Sequence, residues 1–382
     1  MTQRLIIVTE IISPYRIPLF NALAKQPGVD LHAIFLAETD PSLRQWHVYK
    51  DEITFSYQVL PSWRKQVGHF KLLVNGGVGR ALRDAAPDVV LCGGYSYLAS
   101  WQSLLWARAN NVPFLLWSES NQQDLRRGYP LVEFAKDEFL HRCSGFIVPG
   151  QAARTYLRTR KISDAIIYTA PNAVDNDFYM AAAADARKDA TRRRRELHLP
   201  ERYFLFVGRL VQEKGVFELL SAYATLSENN RRQVGLVFVG DGVCRPALEQ
   251  RAAAISAASI VFSGFTHREQ LASYYALADT LVLPTYSDTW GLVVNEAMAC
   301  GLPVILTEPA GCAADLVKDN WNGLLVPPKD PQALAAAMQQ CVGEPGRLSM
   351  MGANSAELIR DFSPEVWSLG IMKMMGAVLG HD

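Results

Sequence analysis

Short, continuous apolar runs recur along the chain, separated by longer stretches whose apolar positions fall at helical spacing. In the first half the runs cover residues 5–9, 31–36, 89–92, 114–117 and 145–148, with helical patterns over 18–25 and 99–110. In the second half they cover 203–207, 235–239, 259–262, 280–283, 303–306 and 323–326. Helical patterns there span 217–227, 246–257, 268–278 and 331–341. Runs without polar alternation predict strands buried on both faces, as in a parallel sheet covered by helices. Two such arrays in succession predict an α/β chain of two doubly wound, Rossmann-like domains. The rhythm breaks near residues 171–200, where an Ala-rich stretch and the basic run 192–195 read as a solvated joint. The expected division is a first domain over 1–172, a linker over 173–199 and a second domain over 200–363.

Composition narrows the class. At 382 residues, 49% hydrophobic and 20% charged, the chain is ordinary globular protein rather than a disordered one. Lys plus Arg and Asp plus Glu both number 38, so the formal charge is zero. That disfavours non-specific nucleic-acid binding, which needs excess cations. Residues 1–175 hold 19 basic and 15 acidic side chains, net +4, and residues 176–382 hold 19 and 23, net −4. Six scattered cysteines without CxxC pairs argue against a disulfide framework or structural zinc and fit a reducing compartment. The apolar run at 5–8 is too short for a signal peptide, and no stretch approaches the roughly 20 apolar residues of a membrane span. A cytoplasmic placement is expected.

In a doubly wound domain ligands bind at the carboxyl ends of the strands. Three segments of the second half carry polar chemistry there. The first runs from Gly208 through Arg209 and Lys214 to Gly215. Two cations on a Gly-flanked turn suit a diphosphate; the alternative is a solvated loop with ordinary surface cations. The second, Val239-Gly240-Asp241-Gly242, is a turn that allows close backbone approach. It is not GxGxxG, and none follows the first strand, so the nicotinamide fingerprint is missing. The third follows the strand ending at Leu283: a polar loop with Asp288, then a helix starting near Gly291. The N–H groups of Gly291, Leu292 and Val293 make an anion site at a helix N-terminus. Asp288 and Glu296 would repel a phosphate, so their targets are sugar or ribose hydroxyls. The bland alternative is an Asp in a turn and a Glu on a solvated face.

Together these segments resemble the retaining nucleotide-sugar glycosyltransferases of family four (group 1). Their GT-B fold sets two Rossmann-like domains facing each other across a deep cleft. Gly208-Arg209 with Lys214-Gly215 matches closely, and Asp288-x7-Glu296 is similar to the family's paired-acid motif. Pro171-Asn172-Ala173-Val174-Asp175 resembles its interdomain segment, with Ala173 in place of Gly, and Ser263-Gly264-Phe265 follows the family's order. The resemblance implies that Arg209 and Lys214 act catalytically, binding the donor diphosphate and stabilising its charge as it leaves. It implies that Glu296 holds the ribose and that Gly264 and Phe265 border the base. Gly208, Gly291, Leu292 and Val293 would lend backbone to the donor. Asp288 stands where the family has Glu, which leaves the donor sugar open. The helix over 364–382 would cross back onto the first domain. No metal is implied, and no cofactor beyond the nucleotide sugar as co-substrate. Attack on the same face as the leaving group is the mechanism this family implies.

The first half would serve the acceptor. Ser13-Pro14-Tyr15-Arg16-Ile17-Pro18-Leu19-Phe20 is similar to the opening of one subgroup, and Arg16 would reach donor phosphates or acceptor, or be structural. Glu119 stands where many members carry a cleft His; it would orient acceptor hydroxyl or donor sugar, or cap the next segment. Gly93-Gly94-Tyr95 would line the same place. Between residues 61 and 74, Trp63, Phe70 and Leu72 interleave with Arg64, Lys65 and Lys71. Such a segment either lies on an anionic membrane surface or packs as a loop and helix on the domain. The expected function is sugar transfer to a saccharide or lipid-linked acceptor, at or near the cytoplasmic face of the inner membrane. The alternatives are a sugar-nucleotide epimerase of the same fold and a non-catalytic sugar-nucleotide-binding protein.

Overall fold

Each apolar run becomes a strand because only a parallel sheet with helices on both faces removes all of its side chains from water. The computed structural model describes residues 2–40, 47–67, 70–122 and 130–380. It divides into two units, Met1–Val174 with Ser363–Asp382, and Asp175–Phe362.

The first unit comprises β1 (Gln3–Thr9), α1 (Ile17–Ala24), β2 (Val29–Phe35), β3 (Ser56–Val59), β4 (Ser62–Val67), β5 (Phe70–Asn75), α2 (Val78–Ala85) and β6 (Val89–Cys92). It continues with α3 (Leu98–Ala109), β7 (Phe114–Trp117), α4 (Pro130–His141), β8 (Gly145–Val148), α5 (Gln151–Thr159) and β9 (Ile167–Thr169). Seven strands form one parallel sheet in the order β3-β2-β1-β6-β7-β8-β9. Alternate residues of β1 feed opposite cores. Ile6 and Val8 join Leu82, Leu104, Phe139 and Tyr156 from α2 to α5. Leu5 and Ile7 join Phe20 of α1 and Trp367, Ile371 and Met374 of the C-terminal helix Pro364–Leu379. That helix is fastened further by a hydrogen bond of 2.8 Å from Gln26 Nε2 to Ser368 Oγ.

The loop and helix that was one expectation for residues 61–74 is not what forms: the described residues Ser62–Val67 and Phe70–Asn75 are strands. They make an antiparallel hairpin, β4 with β5, in register Trp63 with Val74 and Lys65 with Leu72. Alternation along a strand sends neighbours to opposite faces. Leu73 therefore sits in the core and Arg64 pairs with Asp40 at 3.0 Å, while Trp63 and Leu72 remain 56% and 45% exposed. The side chains of Phe70 and Lys71 lie outside the described residues.

The second unit opens with α6 (Asn176–Lys188) and α7 (Ala190–Glu196). It proceeds through β10 (Tyr203–Val207), α8 (Val216–Thr225), α9 (Glu228–Gln233), β11 (Gly235–Val239), α10 (Arg245–Ala252), β12 (Ile260–Gly264) and α11 (Arg268–Leu277). It ends with β13 (Thr280–Leu283), α12 (Leu292–Ala299), β14 (Val304–Thr307), α13 (Ala313–Leu316), β15 (Gly323–Val326), α14 (Pro331–Gly343) and α15 (Pro345–Leu358). Its parallel sheet has the order β12-β11-β10-β13-β14-β15, so the strand order reverses between β10 and β13.

The expected linker over 173–199 is largely helix. Asp175 caps α6 by accepting from Phe178 N at 2.9 Å, and Tyr179, Ala183 and Ala186 are buried. The arginines are not simply solvated. Arg187 donates to the carbonyl oxygens of Ala276 (3.2 Å) and Cys300 (2.5 Å), and Arg194 to that of Leu277 (3.4 Å). These cations answer the unpaired carbonyls at the ends of α11 and α12, where the helix dipole is negative.

Trp367 is fully buried, with its ring 5.9 Å from Phe20 and 5.2 Å from Trp117. Trp367→Ala should destabilise the first unit by roughly 3–5 kcal/mol, read as an earlier denaturant transition. A loss below about 1 kcal/mol would mean the helix is not part of that core.

Candidate functional site

The carboxyl edge of the second sheet gathers the polar loops. β10 ends at Gly208, whose carbonyl lies so near Gly240 that a side chain on Gly240 would collide with it. The turn Gln212–Lys214 follows, closed by Gly215 in the left-handed region (φ 68°). A methyl group at Gly215 would strike the Pro284 carbonyl, so the residue must be Gly for the turn to press against the end of β13. Two hydrogen bonds to the Glu213 carbonyl complete the seam, from Tyr286 N at 2.8 Å and Thr285 Oγ1 at 3.1 Å.

This seam brings together two of the predicted residues, 74 positions apart. Lys214 Nζ is ion-paired with Asp288 Oδ2, and the side chains are only 15% and 18% exposed. Asp288 is itself anchored: Oδ1 accepts from Trp290 N at 3.4 Å and its carbonyl from Gly311 N at 3.1 Å. Gly291 is the N-cap of α12, in the left-handed region at φ 99°. Leu292 and Val293 form the first turn, whose amides have no intrahelical acceptor. Arg209 is 61% exposed and lies 4.0 Å from Glu213, a contact too wet to hold it in place. Gly264 closes β12 at φ 75° and its carbonyl accepts from Gly240 N at 2.7 Å; beside it Phe265 stands exposed. Asp279, by contrast, is structural, paired with Arg202 at 2.7 Å.

Glu296 is on neither a solvated face nor an open wall. It is fully buried, its Oε2 accepting from Tyr275 OH at 2.6 Å, while Oε1 has no hydrogen-bond partner among the described residues. Burial disfavours the charged form and pushes its pKa up to about 7, with the Tyr275 and Tyr179 hydroxyls opposing the rise. The sequence held a signal for this: apart from Asn295 and Glu296 every residue of α12 is apolar, so the helix has no polar stripe.

In the first unit, Arg16 and Glu119 also come together at the carboxyl ends of strands. The Arg16 guanidinium lies 4.4 Å over the Trp117 ring, donates to Thr9 Oγ1 at 2.5 Å and stands 3.9 Å from Glu119 Oε1. Any side chain at Gly93 would crowd Thr9 and Arg16. Tyr95 OH lies 3.0 Å from Ser120 Oγ, and Lys136 Nζ stands 5.5 Å over the Tyr95 ring. Sequence reasoning did not single out Trp117, Ser120 or Lys136, whose roles depend on strand ends meeting in space. The Asp-x-Asp triplet Asp175-Asn176-Asp177 serves the backbone. Asp175 is the cap of α6, and buried Asn176 donates to the carbonyls of Ile359 (3.0 Å) and Phe362 (3.2 Å).

Two Rossmann-like units with polar loops at the carboxyl edges of parallel sheets define the GT-B class of α/β proteins. Residues 187–358 match the family described as glycosyl transferases group 1. The α-D-kanosaminyltransferase of Streptomyces kanamyceticus is 28% identical over 276 residues, covering 70% of each chain. The D-inositol 3-phosphate glycosyltransferase of Rhodococcus jostii is 32% identical over 242 residues, 59% of this chain and 53% of that one. The chain spans little more than a third of two further relatives, 36% of one from Bacillus subtilis and 37% of one from Methanocaldococcus jannaschii. In fold it is similar to Anabaena HepE in complex with UDP and glucose (TM-score 0.75, 17% identity, 98% of this chain and 100% of that one). It is also similar to sucrose-phosphate synthase of Thermosynechococcus elongatus (TM-score 0.73, 22% identity, all of both chains). Among the described residues no helix is long and apolar enough to cross a membrane.

Glu296 makes the second unit pH-sensitive. Its pKa is raised from an ordinary 4.5 to about 7, so the folded state keeps a proton the unfolded chain has lost. Its contribution is complete below pH 4.5 and is lost as pH rises through 7. The loss amounts to about 3 kcal/mol. Glu296→Gln should remove that fall, shown by the difference in denaturant midpoints of variant and wild type between pH 5 and pH 8. Parallel pH profiles would contradict the assignment.

Proposed function

We propose that the protein is a retaining glycosyltransferase that moves a sugar from a nucleotide-diphosphate sugar to a hydroxyl acceptor. The observation that carries this reading is the convergence of Lys214, Asp288 and the N-terminus of α12 at one sheet edge, within the segment that matches the group 1 family. Breaking the anomeric C–O bond leaves negative charge on the departing diphosphate and positive charge on the anomeric carbon. Lys214 and the amides of Gly291, Leu292 and Val293 are preorganised donors for the first of these, commonly the largest catalytic term, and the exposed Arg209 adds a second cation. With them the reaction proceeds without a metal ion. Gly208, Gly264 and Phe265 border the nucleoside, whereas the fully buried Glu296 offers no exposed oxygen for the ribose contact that the resemblance implied.

Arg16 and Glu119 of the first unit take the acceptor. A guanidinium beside a carboxylate suits neighbouring hydroxyls of a saccharide, donating to one and accepting from the other. The acceptor is a saccharide or lipid-linked glycan of a surface polysaccharide or glycolipid, made at the cytoplasmic face of the membrane. Exposed Trp63 and Leu72, with Lys65 Nζ 5.9 Å from the Trp63 ring, support peripheral contact with anionic lipid.

Lys214→Ala should lower turnover about 10²–10³-fold in a protein that still folds, measured by release of nucleoside diphosphate from the donor in the presence of acceptor. Near-normal turnover would remove the donor-site assignment, and a wild-type protein that binds donor but never releases diphosphate would be a binding protein. For the membrane contact, Trp63→Ala with Lys65→Glu should abolish flotation with anionic liposomes at low salt. Wild-type protein that stays in the soluble fraction would refute that part of the proposal.

A further inference from the structure

Asp288 was expected to face a sugar hydroxyl, yet its Oδ2 is engaged by Lys214 Nζ. The carboxylate is rigidly placed, since both Oδ1 and the backbone carbonyl accept main-chain hydrogen bonds. Oδ2 also borders the helix entrance, 3.7 Å from the point a Cβ on Gly291 would occupy. An anion seated on Lys214 and the first-turn amides of α12 therefore sits directly beside a fixed negative charge.

We infer that Asp288 is a specificity-determining residue that discriminates the nucleotide sugar from the free nucleoside diphosphate, a conclusion that rests on the donor-site reading above. The ammonium of Lys214 has three N–H donors, and Asp288 takes one, leaving the others for a phosphate. In the donor the terminal phosphate is esterified. When the anomeric C–O bond breaks, its electron pair stays on the terminal phosphate oxygen, and that phosphate gains about one further negative charge near pH 7. The added charge faces Asp288. Like-charge juxtaposition at a partly desolvated site is costly, so Asp288 favours the donor and hastens departure of the spent diphosphate. It also holds Lys214 in place before the donor arrives.

Calorimetric titration of UDP, GDP and ADP and of their glucose esters tests this on wild type, Asp288→Asn, Asp288→Glu and Lys214→Ala. Asp288→Asn should bind the free diphosphate about tenfold more tightly while its affinity for the sugar ester changes little. Asp288→Glu keeps the carboxylate and should keep the wild-type ratio of the two affinities. Lys214→Ala should weaken both ligands. A parallel change for ester and free diphosphate in Asp288→Asn would mean that Asp288 only shapes the loop, and would overturn the inference with the donor site intact. Binding of none of these ligands to the wild type would overturn the donor-site reading and this inference with it. Thermal melting reports on folding, and Asp288→Ser supplies the same comparison if the Asn variant does not fold.

Discussion

The charged groups of the two sites lie at strand ends because the central strands β6, β7, β8, β10 and β13 carry no charged side chain and are buried on both faces. In β10 every residue from Tyr203 to Val207 is buried, and β6, β7, β8 and β13 are equally closed. A parallel strand so enclosed spends its backbone groups on its two neighbours and its side chains on two helical layers. Charged groups then have one region in which to collect, the loops at the carboxyl edge. There helix N-termini add unpaired amides. Lys214, Asp288, Arg209 and Gly291 occupy that edge in the second unit, and Arg16, Glu119 and Tyr95 occupy it in the first.

That constraint is also why so much was legible in the sequence. Continuous apolar runs located the central strands to within a residue or two, since a parallel strand buried on both faces requires them. The edge elements were harder. β3 is mostly exposed, and the hairpin of β4 and β5 is half buried, so neither has the uninterrupted run that marks a central strand. The helices α6 and α7 were masked by composition. Alanines packed against a neighbour look the same in sequence as alanines in a joint, and arginines that cap distant helix ends look like a solvated charge run.

At the site, residue types were readable and their pairing was not. Two cations after β10 and two acids around α12 suggested separate ligands for each, because sequence separation hides proximity. The close packing of Gly215 on Pro284 brings the two loops into contact and makes Lys214 and Asp288 partners. Glu296 shows the opposite error. A carboxylate in a helix ordinarily reads as solvent-facing, yet this one is enclosed with Tyr275 and keeps its proton to about pH 7. Its apolar neighbours on every helical face were the available clue.

The difference between these two acids follows from what each has for a partner. Glu296 is enclosed with phenol hydroxyls and no cation, and burial settles its charge by raising its pKa. Asp288 lies beside an ammonium, which offsets part of the desolvation of both groups. Removing either member of such a pair strands a charge with little access to water, so the pair persists until a ligand supplies a substitute. An anionic phosphate can replace Asp288 at Lys214, but nothing about it can replace Lys214 at Asp288. In the proposed reaction, a phosphate on Lys214 leaves the Asp288 carboxylate only partly balanced beside the group whose charge grows. On the proposed reading, binding strength and product release are set against each other by a single side chain, whose carboxylate is fixed in place by its hydrogen bond from Trp290 N.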